Sequence, residues 1–565
     1  MSRNNDMSVR ITGEAGQGIK TIGHALCEIF VKAGYNIFAN MDYMSRIRGG
    51  NNYFQIRISS SPVHALREAP DIVVALNAES VSLHSGALSE GGLLFADIEN
   101  SGVKEKEARL RDAPFFRIAE ETGSEIYVSA VSCGLIAGIT GIDFRHVESV
   151  LEKYFGKDEE IRDNNIKAGK KGYALAGEKF KEDIHSPQTS EEAGKYLLNG
   201  TEAMAMGAIR AGCKFYSAYP MTPATGVMLN MAKYADDFNI LVEQAEDEIA
   251  AVNMAIGASF AGARAMTATS GGGLCLMAEG ISLAGMTETP VVIVDAQRPA
   301  PATGLPTRTE QGDLELAIYG CHGEFPRAVL APGSIEECYR LTLKAFELAD
   351  KYQIPVLVLT DQYLADSLRD IKALGGEDTR VRKFSLSRDE SSSIKEYKRY
   401  ELTDTGISPR AIPSWLADVI YADSDEHTEE GHITESDTVR NSMVDKRLYR
   451  KGRLLAEEVI PPEVSGPGGA ETILVGFGST RGVINEVRER KGGGYGALHL
   501  PQVWPFPAEA VRKTLEGRKK VICIENNASA QLAGLIRKKT GIEVSESILK
   551  YDGRPFNTDI LTERI

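Results

Sequence analysis

Tyr219-Pro-Met-Thr-Pro-Ala-Thr225, with Glu243-Gln-Ala-Glu-Asp-Glu248 behind it, is the stretch that decides how the chain folds. Its two prolines fix φ, remove two N–H donors and push Tyr219 and Thr222 into extended backbone, which rules out a helix interior. The preceding run Lys214-Phe-Tyr-Ser-Ala218 is short, apolar and aromatic, and reads as a buried strand. A strand therefore runs into a stiff loop bearing threonine hydroxyls, at the kind of strand end where open α/β sheets hold ligands. Residues 240–248 then read as a short strand that delivers Glu246, Asp247 and Glu248 to the start of the Ala-rich segment Ile249–Gly257. That segment is apolar on nearly every face, so a buried helix is expected. Acids at its start suit the positive end of the helix dipole. Dipole compensation accounts for Asp247 and partly for Glu246. A carboxylate facing a buried helix start beside a ligand loop is a functional candidate.

The same grammar repeats outward from this stretch. Ala265-Met-Thr-Ala-Thr-Ser-Gly271 is a strand opening into a glycine-rich turn, and Pro290-Val-Val-Ile-Val-Asp-Ala-Gln-Arg298 is a buried strand ending on an arginine. The loop of residues 299–313 is too rich in proline and glycine for regular structure, yet it carries Thr303, Thr307, Arg308, Glu310 and Gln311. Pro355-Val-Leu-Val-Leu-Thr-Asp361 closes the unit, which spans about 195–375. Residues 1–185 predict a separate Rossmann-like domain: a strand at 8–12, the turn Gly13-Glu-Ala-Gly16-Gln-Gly18, a helix over 19–33, and parallel strands at 71–76 and 92–97. The glycine spacing is not the dinucleotide one, and no acid follows a second strand to bind a ribose. Arg46 and Arg48, beside Gly49-Gly50, could bind a phosphate or meet a neighbouring domain. Residues 376–465 are polar and poorly periodic, and read as a linker or extension; His427 and His432 within them read as a solvated or interface loop rather than a metal site. Gly466-Pro-Gly-Gly-Ala marks a boundary, after which 466–565 form a third α/β domain. The expected class is thus α/β, with several doubly wound open-sheet domains.

Bulk properties exclude several roles. A net charge of −15 argues against a nucleic-acid or membrane-surface partner. No run of 18 apolar residues occurs, and the first residues carry no apolar signal region, so a cytoplasmic location is expected. The seven cysteines are scattered without a Cys-x-x-Cys pair, so no iron–sulfur site is expected in this chain.

Taken together, the motifs resemble the α subunits of 2-oxoacid:ferredoxin oxidoreductases with the family's γ domain fused at the N-terminus. Gly13-Glu-Ala-Gly-Gln-Gly and Arg48-Gly-Gly match the γ domain. Tyr219-Pro-Met-Thr-Pro matches the family's Tyr-Pro-Ile-Thr-Pro, with methionine in place of isoleucine. Glu246-Asp-Glu-Ile-Ala-Ala, Thr269-Ser-Gly and Gly304-Leu-Pro-Thr-Arg-Thr-Glu-Gln match its pyrimidine-binding domain. Residues 471–540 are similar to its transketolase C-terminal-like domain.

The resemblance implies a thiamine diphosphate enzyme that decarboxylates a 2-oxoacid, forms an acyl-CoA from CoA and passes electrons to ferredoxin. It implies a glutamate on N1′ of the aminopyrimidine; its position relative to Gly257 assigns this role to Glu248, with Glu246 as the alternative. Tyr219, Pro220 and Thr222 would border the cofactor. Thr222, Thr225 and Arg298 would meet the oxoacid, Arg298 through a bidentate grip on its carboxylate or else as an interdomain salt bridge. Thr307 and Arg308 would border the substrate side chain or CoA. No Gly-Asp-Gly precedes Asn526-Asn527, so the diphosphate, its Mg²⁺ and a [4Fe–4S] cluster fall to a β subunit, in an (αβ)₂ assembly. The fused arrangement and the Thr-Arg-Thr-Glu-Gln loop favour 2-oxoglutarate. Pyruvate, broad specificity, or a non-catalytic nucleotide or acyl-CoA binder built on Gly13–Gly18 remain as alternatives.

Overall fold

The structure is a computed structural model that describes residues 5–45, 49–101, 109–191, 193–374, 381–416 and 419–565. Arg46 and Arg48 lie outside the described residues. The chain divides into two compact units, one of residues 1–199, 367–374 and 557–565, the other of 200–366 and 375–556.

The first unit is built on an eight-stranded sheet in the order Leu110–Asp112, Leu93–Ala96, Ile72–Ala75, Asp6–Ala15, Gly49–Ser59, Asn36–Asp42, Leu368–Ile371, Tyr196–Asn199. The half from Leu110–Asp112 to Asp6–Ala15 is parallel, as the short apolar runs predict; the other half is antiparallel. The strands at 196–199 and 368–371 come from segments that read as part of the following unit, and they complete this sheet. At the glycine turn, Gln17 Oε1 accepts the N–H of Glu14 (2.7 Å) and Gln17 Nε2 donates to Leu76 O (3.4 Å). The side chain of Gln17 thus takes a donor that an anion would need.

The second unit holds two sheets. The larger has seven strands in the order Gln502–Trp504, Ala328–Leu330, Pro355–Asp361, Val291–Gln297, Arg264–Thr269, Cys213–Ala218, Leu241–Gln244, all parallel except the Gln502–Trp504 edge strand. Val291–Gln297 is buried along its whole length, which explains its near-continuous apolar run. The five-stranded sheet runs Glu463–Ser465, Tyr495–Leu500, Thr472–Phe477, Lys520–Glu525, Glu546–Leu549. Its apolar face shares one core with helices of the larger sheet, in which Val475, Phe477, Leu500 and Ile536 join Val252, Leu274, Ile293 and Leu314.

Polar composition concealed order between 381 and 465. His427 is fully buried, its ring centroid 4.0 Å from that of Tyr400, and its Nδ1 lies 3.0 Å from Asp425 O. The expected solvated loop therefore holds only for the exposed His432. Nearby, Lys446 and Lys451, on a π-helical segment Asp445–Lys451, both reach the carboxylate of Glu288, and Arg399 donates to Thr287 O and Glu288 O. All four side chains are buried. Burial alone would raise the Glu288 carboxyl, but the Lys446 and Lys451 ammoniums and the Arg399 guanidinium hold it far below the usual carboxylate range. Glu288 also has φ 49°, which costs a non-glycine residue free energy, so surrounding structure must impose it.

Candidate functional site

The site starts from two helix beginnings on neighbouring parallel strands. Cys213–Ala218 ends at Tyr219, the chain crosses a cis Thr222–Pro223 peptide, and a helix runs over Thr225–Lys233. Thr225 N–H donates to Met221 O (3.1 Å) and closes the turn. Tyr219 is 41% exposed, while Pro220, Thr222 and Thr225 are half-buried.

The second helix, Glu248–Phe260, is capped by Asp247, whose Oδ1 accepts the Ala250 N–H at 2.8 Å. Capping by aspartate satisfies one of the orphan N–H groups of the first turn. It also sorts the three acids: Asp247 is the cap, Glu246 is exposed, and Glu248 is 3% exposed. Ser217 Oγ donates to Ala251 O (2.6 Å) and fixes the first turn to the strand end. Glu248 Oε1 is buried with no hydrogen-bond partner in the chain. A buried carboxylate oxygen without a donor costs about 1–3 kcal/mol, more when charged, so this atom is open to a donor from outside the chain, a water or a bound group.

Gly273 makes room for it. A Cβ there would lie 2.6 Å from Glu248 Cγ, 2.9 Å from Glu248 Oε1 and 2.0 Å from Thr269 Oγ1. Gly273→Ala is expected to displace the Glu248 carboxyl and lower turnover on the order of 10²-fold, the usual cost of a misplacement near 1 Å. Steady-state turnover, with the melting temperature of the chain as the folding control, measures this; unchanged turnover would mean that the position of Glu248 is immaterial.

Arg298 closes the other side. It follows the Val291–Gln297 strand, is half-buried, and donates from Nη1 to Thr222 O at 2.8 Å. Burial lowers its pKa, and the charges of Asp313 and then Glu248 oppose that shift, so both carboxyls are within electrostatic reach of the guanidinium. Met221 Sδ lies 2.7 Å from Ser270 Oγ and 3.9 Å from Thr269 Oγ1. Thr222, Glu248, Thr269, Gly273 and Arg298 thus gather beyond the C-terminal ends of four adjacent parallel strands.

Thr307 and Arg308 occupy another part of the 299–313 loop. Thr307 is buried, and Arg308 packs its Cβ and Cγ near Gly553, where the Thr309 N–H donates to Gly553 O (3.3 Å). Gln311 pins the end of the loop: its N–H donates to Asn526 O (2.7 Å) and its Oε1 accepts the Asn526 N–H (3.1 Å). Asn527 is committed as well, donating to Gln311 O (3.2 Å) and accepting from the N–H groups of Ser529 and Ala530. Both asparagines therefore serve as a clasp within the chain. The sequence offered Gly271-Gly-Gly and Gln311 as motif letters without a role; their roles depend on close approach and on partners far along the chain.

The Glu248–Phe260 helix is not buried on every face, contrary to its composition. Ile249 is 49% and Met254 38% exposed, and on the neighbouring elements Leu229, Leu241 and Leu276 are also exposed. Apolar composition does not distinguish a helix buried within its own chain from one with an apolar face left open. Among the described residues no group of three or more His, Cys, Asp or Glu is placed to hold a metal ion, and no helix is long and apolar enough to cross a membrane.

Three family models match the chain. The thiamine diphosphate-binding model of pyruvate flavodoxin/ferredoxin oxidoreductases covers residues 206–446, a pyruvate ferredoxin/flavodoxin oxidoreductase model covers 8–175, and the core domain II model of pyruvate:ferredoxin oxidoreductase covers 470–559. The α subunit of a 2-oxoacid:ferredoxin oxidoreductase from Sulfolobus sp is 34% identical over 98% of this chain and 96% of its own length. Subunit KorA of a 2-oxoglutarate oxidoreductase from Mycobacterium tuberculosis is 29% identical over 98% of this chain and 90% of its own. A solved 2-oxoglutarate:ferredoxin oxidoreductase from Magnetococcus marinus, with 2-oxoglutarate, coenzyme A and succinyl-CoA bound, superposes with TM-score 0.92 at 33% identity, covering 99% of each chain. With its open α/β sheets, its buried glutamate at a strand end and this end-to-end similarity, the chain belongs to the 2-oxoacid:ferredoxin oxidoreductase α-subunit family.

Proposed function

We propose that the chain is the pyrimidine-side half of a thiamine diphosphate enzyme that converts 2-oxoglutarate and CoA to succinyl-CoA and CO₂, with the electrons leaving through a β subunit's [4Fe–4S] cluster to ferredoxin. The observation that carries this reading is Glu248 Oε1, a buried carboxylate oxygen without a partner in a strand-end site. Thiamine diphosphate, when bound, supplies the electron sink that lets a 2-oxoacid lose its carboxylate as CO₂. Glu248 then holds a proton against N1′ of the aminopyrimidine. Glu246, the alternative for that role, is exposed and has no such position. Tyr219 and Pro220 line the cofactor edge, the Thr222 and Thr225 hydroxyls orient the keto-acid end, and Arg298 grips the reacting carboxylate. Thr307 and Arg308 lie toward the distal carboxylate or CoA.

Residues 1–185 act as the γ domain, 195–375 as the pyrimidine-binding domain with 376–465 as its extension, and 466–565 as the transketolase C-terminal-like domain. Asn526 and Asn527 are engaged in the Gln311 clasp, which supports assigning the diphosphate and its Mg²⁺ to a β subunit. The exposed Leu241, Ile249, Met254 and Leu276 beside the site support an apolar docking face for that partner, in an (αβ)₂ enzyme of the cytoplasm.

Arg298→Ala is expected to raise KM for the oxoacid by about 10- to 100-fold, the worth of a lost charge-assisted hydrogen bond, while KM for CoA stays within a few-fold. Steady-state kinetics with both substrates varied decide it; equal changes in both constants would make Arg298 a structural residue. Comparing kcat/KM for 2-oxoglutarate and pyruvate in the same assay tests the substrate, and a preference for pyruvate would overturn that assignment.

A further inference from the structure

Two buried carboxyls lie close along the chain or by hydrogen bond to the strand end that carries Arg298, Asp295 on the strand itself and Asp313 bonded through its N–H to Gln297, and neither has a role in the reading above. Asp295 is fully buried on the Val291–Gln297 strand, paired in register with Thr269 on one side and Leu359 on the other. Gln297 points to the same face of the strand. Its Oε1 accepts the Asp313 N–H (2.9 Å) and its Nε2 donates to Thr360 O (3.0 Å), which anchors Asp313 at the start of the Leu314–Tyr319 helix. The Asp313 carboxyl does not cap that helix. It fills the space over Gly271, where a Cβ would come within 2.4–2.6 Å of all three carboxyl atoms. Neither oxygen of Asp295 has a hydrogen-bond partner, and neither does Asp313 Oδ2.

Two carboxylates so poorly supplied with donors do not both stay ionised, whereas a carboxylic acid brings a donor of its own. Burial, then the charge of Asp313, pushes the Asp295 acid well up. Burial lifts Asp313 to about 6, against the opposing pull of Arg298. The ionisable groups facing Asp313 are Asp295 from the strand, Arg298 from its end, Glu310 from the loop and Cys275 from the Gly271–Leu276 helix.

We propose that Asp313, backed by Asp295, is a positioning residue that trades charge with the substrate: ionised, it balances Arg298 in the empty site, and protonated, it yields the guanidinium to the carboxylate of an arriving 2-oxoacid. The proposal rests on the assignment of Arg298 to that carboxylate. The proton comes from solvent water when the oxoacid binds and returns to it once the carboxylate has left as CO₂. Oxoacid affinity must then fall as the pH climbs past the midpoint of Asp313, by at most tenfold per pH unit for one linked proton.

The test is KM for 2-oxoglutarate from pH 5.5 to 8, measured on the assembled enzyme with a viologen acceptor. In the wild type KM rises several-fold over this range. In Asp313→Asn, which is always neutral, KM stays low and flat, and Asp313→Glu restores the slope. Asp295→Leu takes away the donor that the neutral Asp295 acid brings and moves the rise to higher pH, which tests the pair even where Asp313→Asn does not assemble. A wild-type slope in Asp313→Asn, or an unmoved midpoint in Asp295→Leu, overturns the proposal. So does a pH-independent loss of kcat in Asp313→Asn with the KM slope retained, the mark of a merely structural residue. If Arg298→Ala raises the oxoacid KM while the slope in Asp313→Asn is unchanged, only the charge trade is lost; an unchanged KM in Arg298→Ala removes the underlying assignment itself.

Discussion

Glu248→Gln leaves the chain folded and able to assemble, while turnover of a 2-oxoacid with CoA falls by about 10²- to 10⁴-fold, the range that a positioned acid–base group contributes. The amide has the carboxylate's shape, so Gly273, Thr269 and the first helical turn need not move. What it lacks is the ability to hold a proton against a ring nitrogen. Because Glu248 Oε1 is buried without a donor in the chain, the neutral amide also relieves a desolvation cost. The melting temperature of the variant chain should therefore be unchanged or raised, a trade of stability against activity that is common at functional sites. Turnover and thermal melting measured on the same preparation check both halves. Near-wild-type turnover would remove Glu248 from catalysis, and a large drop in melting temperature would recast it as a structural residue.

Glu288→Gln is the variant expected to cost most stability. It leaves the Lys446 and Lys451 ammoniums buried with no carboxylate between them. Breaking a buried ion pair by removing one partner costs about 3–5 kcal/mol, because the remaining charge is uncompensated. The loss also has a pH signature. Burial lowers Lys446 to about 8 even against the pull of Glu288, below its ordinary value of 10.5. Without Glu288 both lysines give up their protons more readily in the folded state than in the unfolded one. The unfolded chain then binds more protons, so stability rises with pH, and the variant should regain part of its loss as the pH is raised from 7 toward 10. Chemical denaturation at several pH values measures this. A variant within about 1 kcal/mol of wild type at pH 7 would show the cluster to be dispensable.

The two sites differ in how far the sequence reveals them. A buried acid at this helix start was legible, because three acids run into an Ala-rich apolar segment; that Asp247 is the cap and Glu248 the buried one is what the structure adds. Arg298 was legible as a charge ending a run of Val and Ile. Glu288 was not, because its partners lie 158 and 163 residues away in a stretch whose composition looks solvated. His427 misled for the same reason: Glu426 beside it is neutralised by Arg440 and Arg447, so a polar run folds against Tyr400 instead of facing water. Asp295 was visible as an acid inside a strand of Val and Ile, yet its meaning depends on Gln297 bringing Asp313 over the same face. The exposed side of the Glu248–Phe260 helix was read as core, since sequence records that a face is apolar and not what covers it.

The most direct test of the whole account is anaerobic purification of the tagged chain from cells, with and without its co-purifying partner, followed by an assay of viologen reduction with 2-oxoglutarate and CoA. The account predicts activity only in fractions that also contain a smaller iron–sulfur subunit, only with CoA present, and lost in Glu248→Gln. Turnover by the isolated chain, or an intact two-subunit complex that reduces no acceptor with any 2-oxoacid, would contradict it.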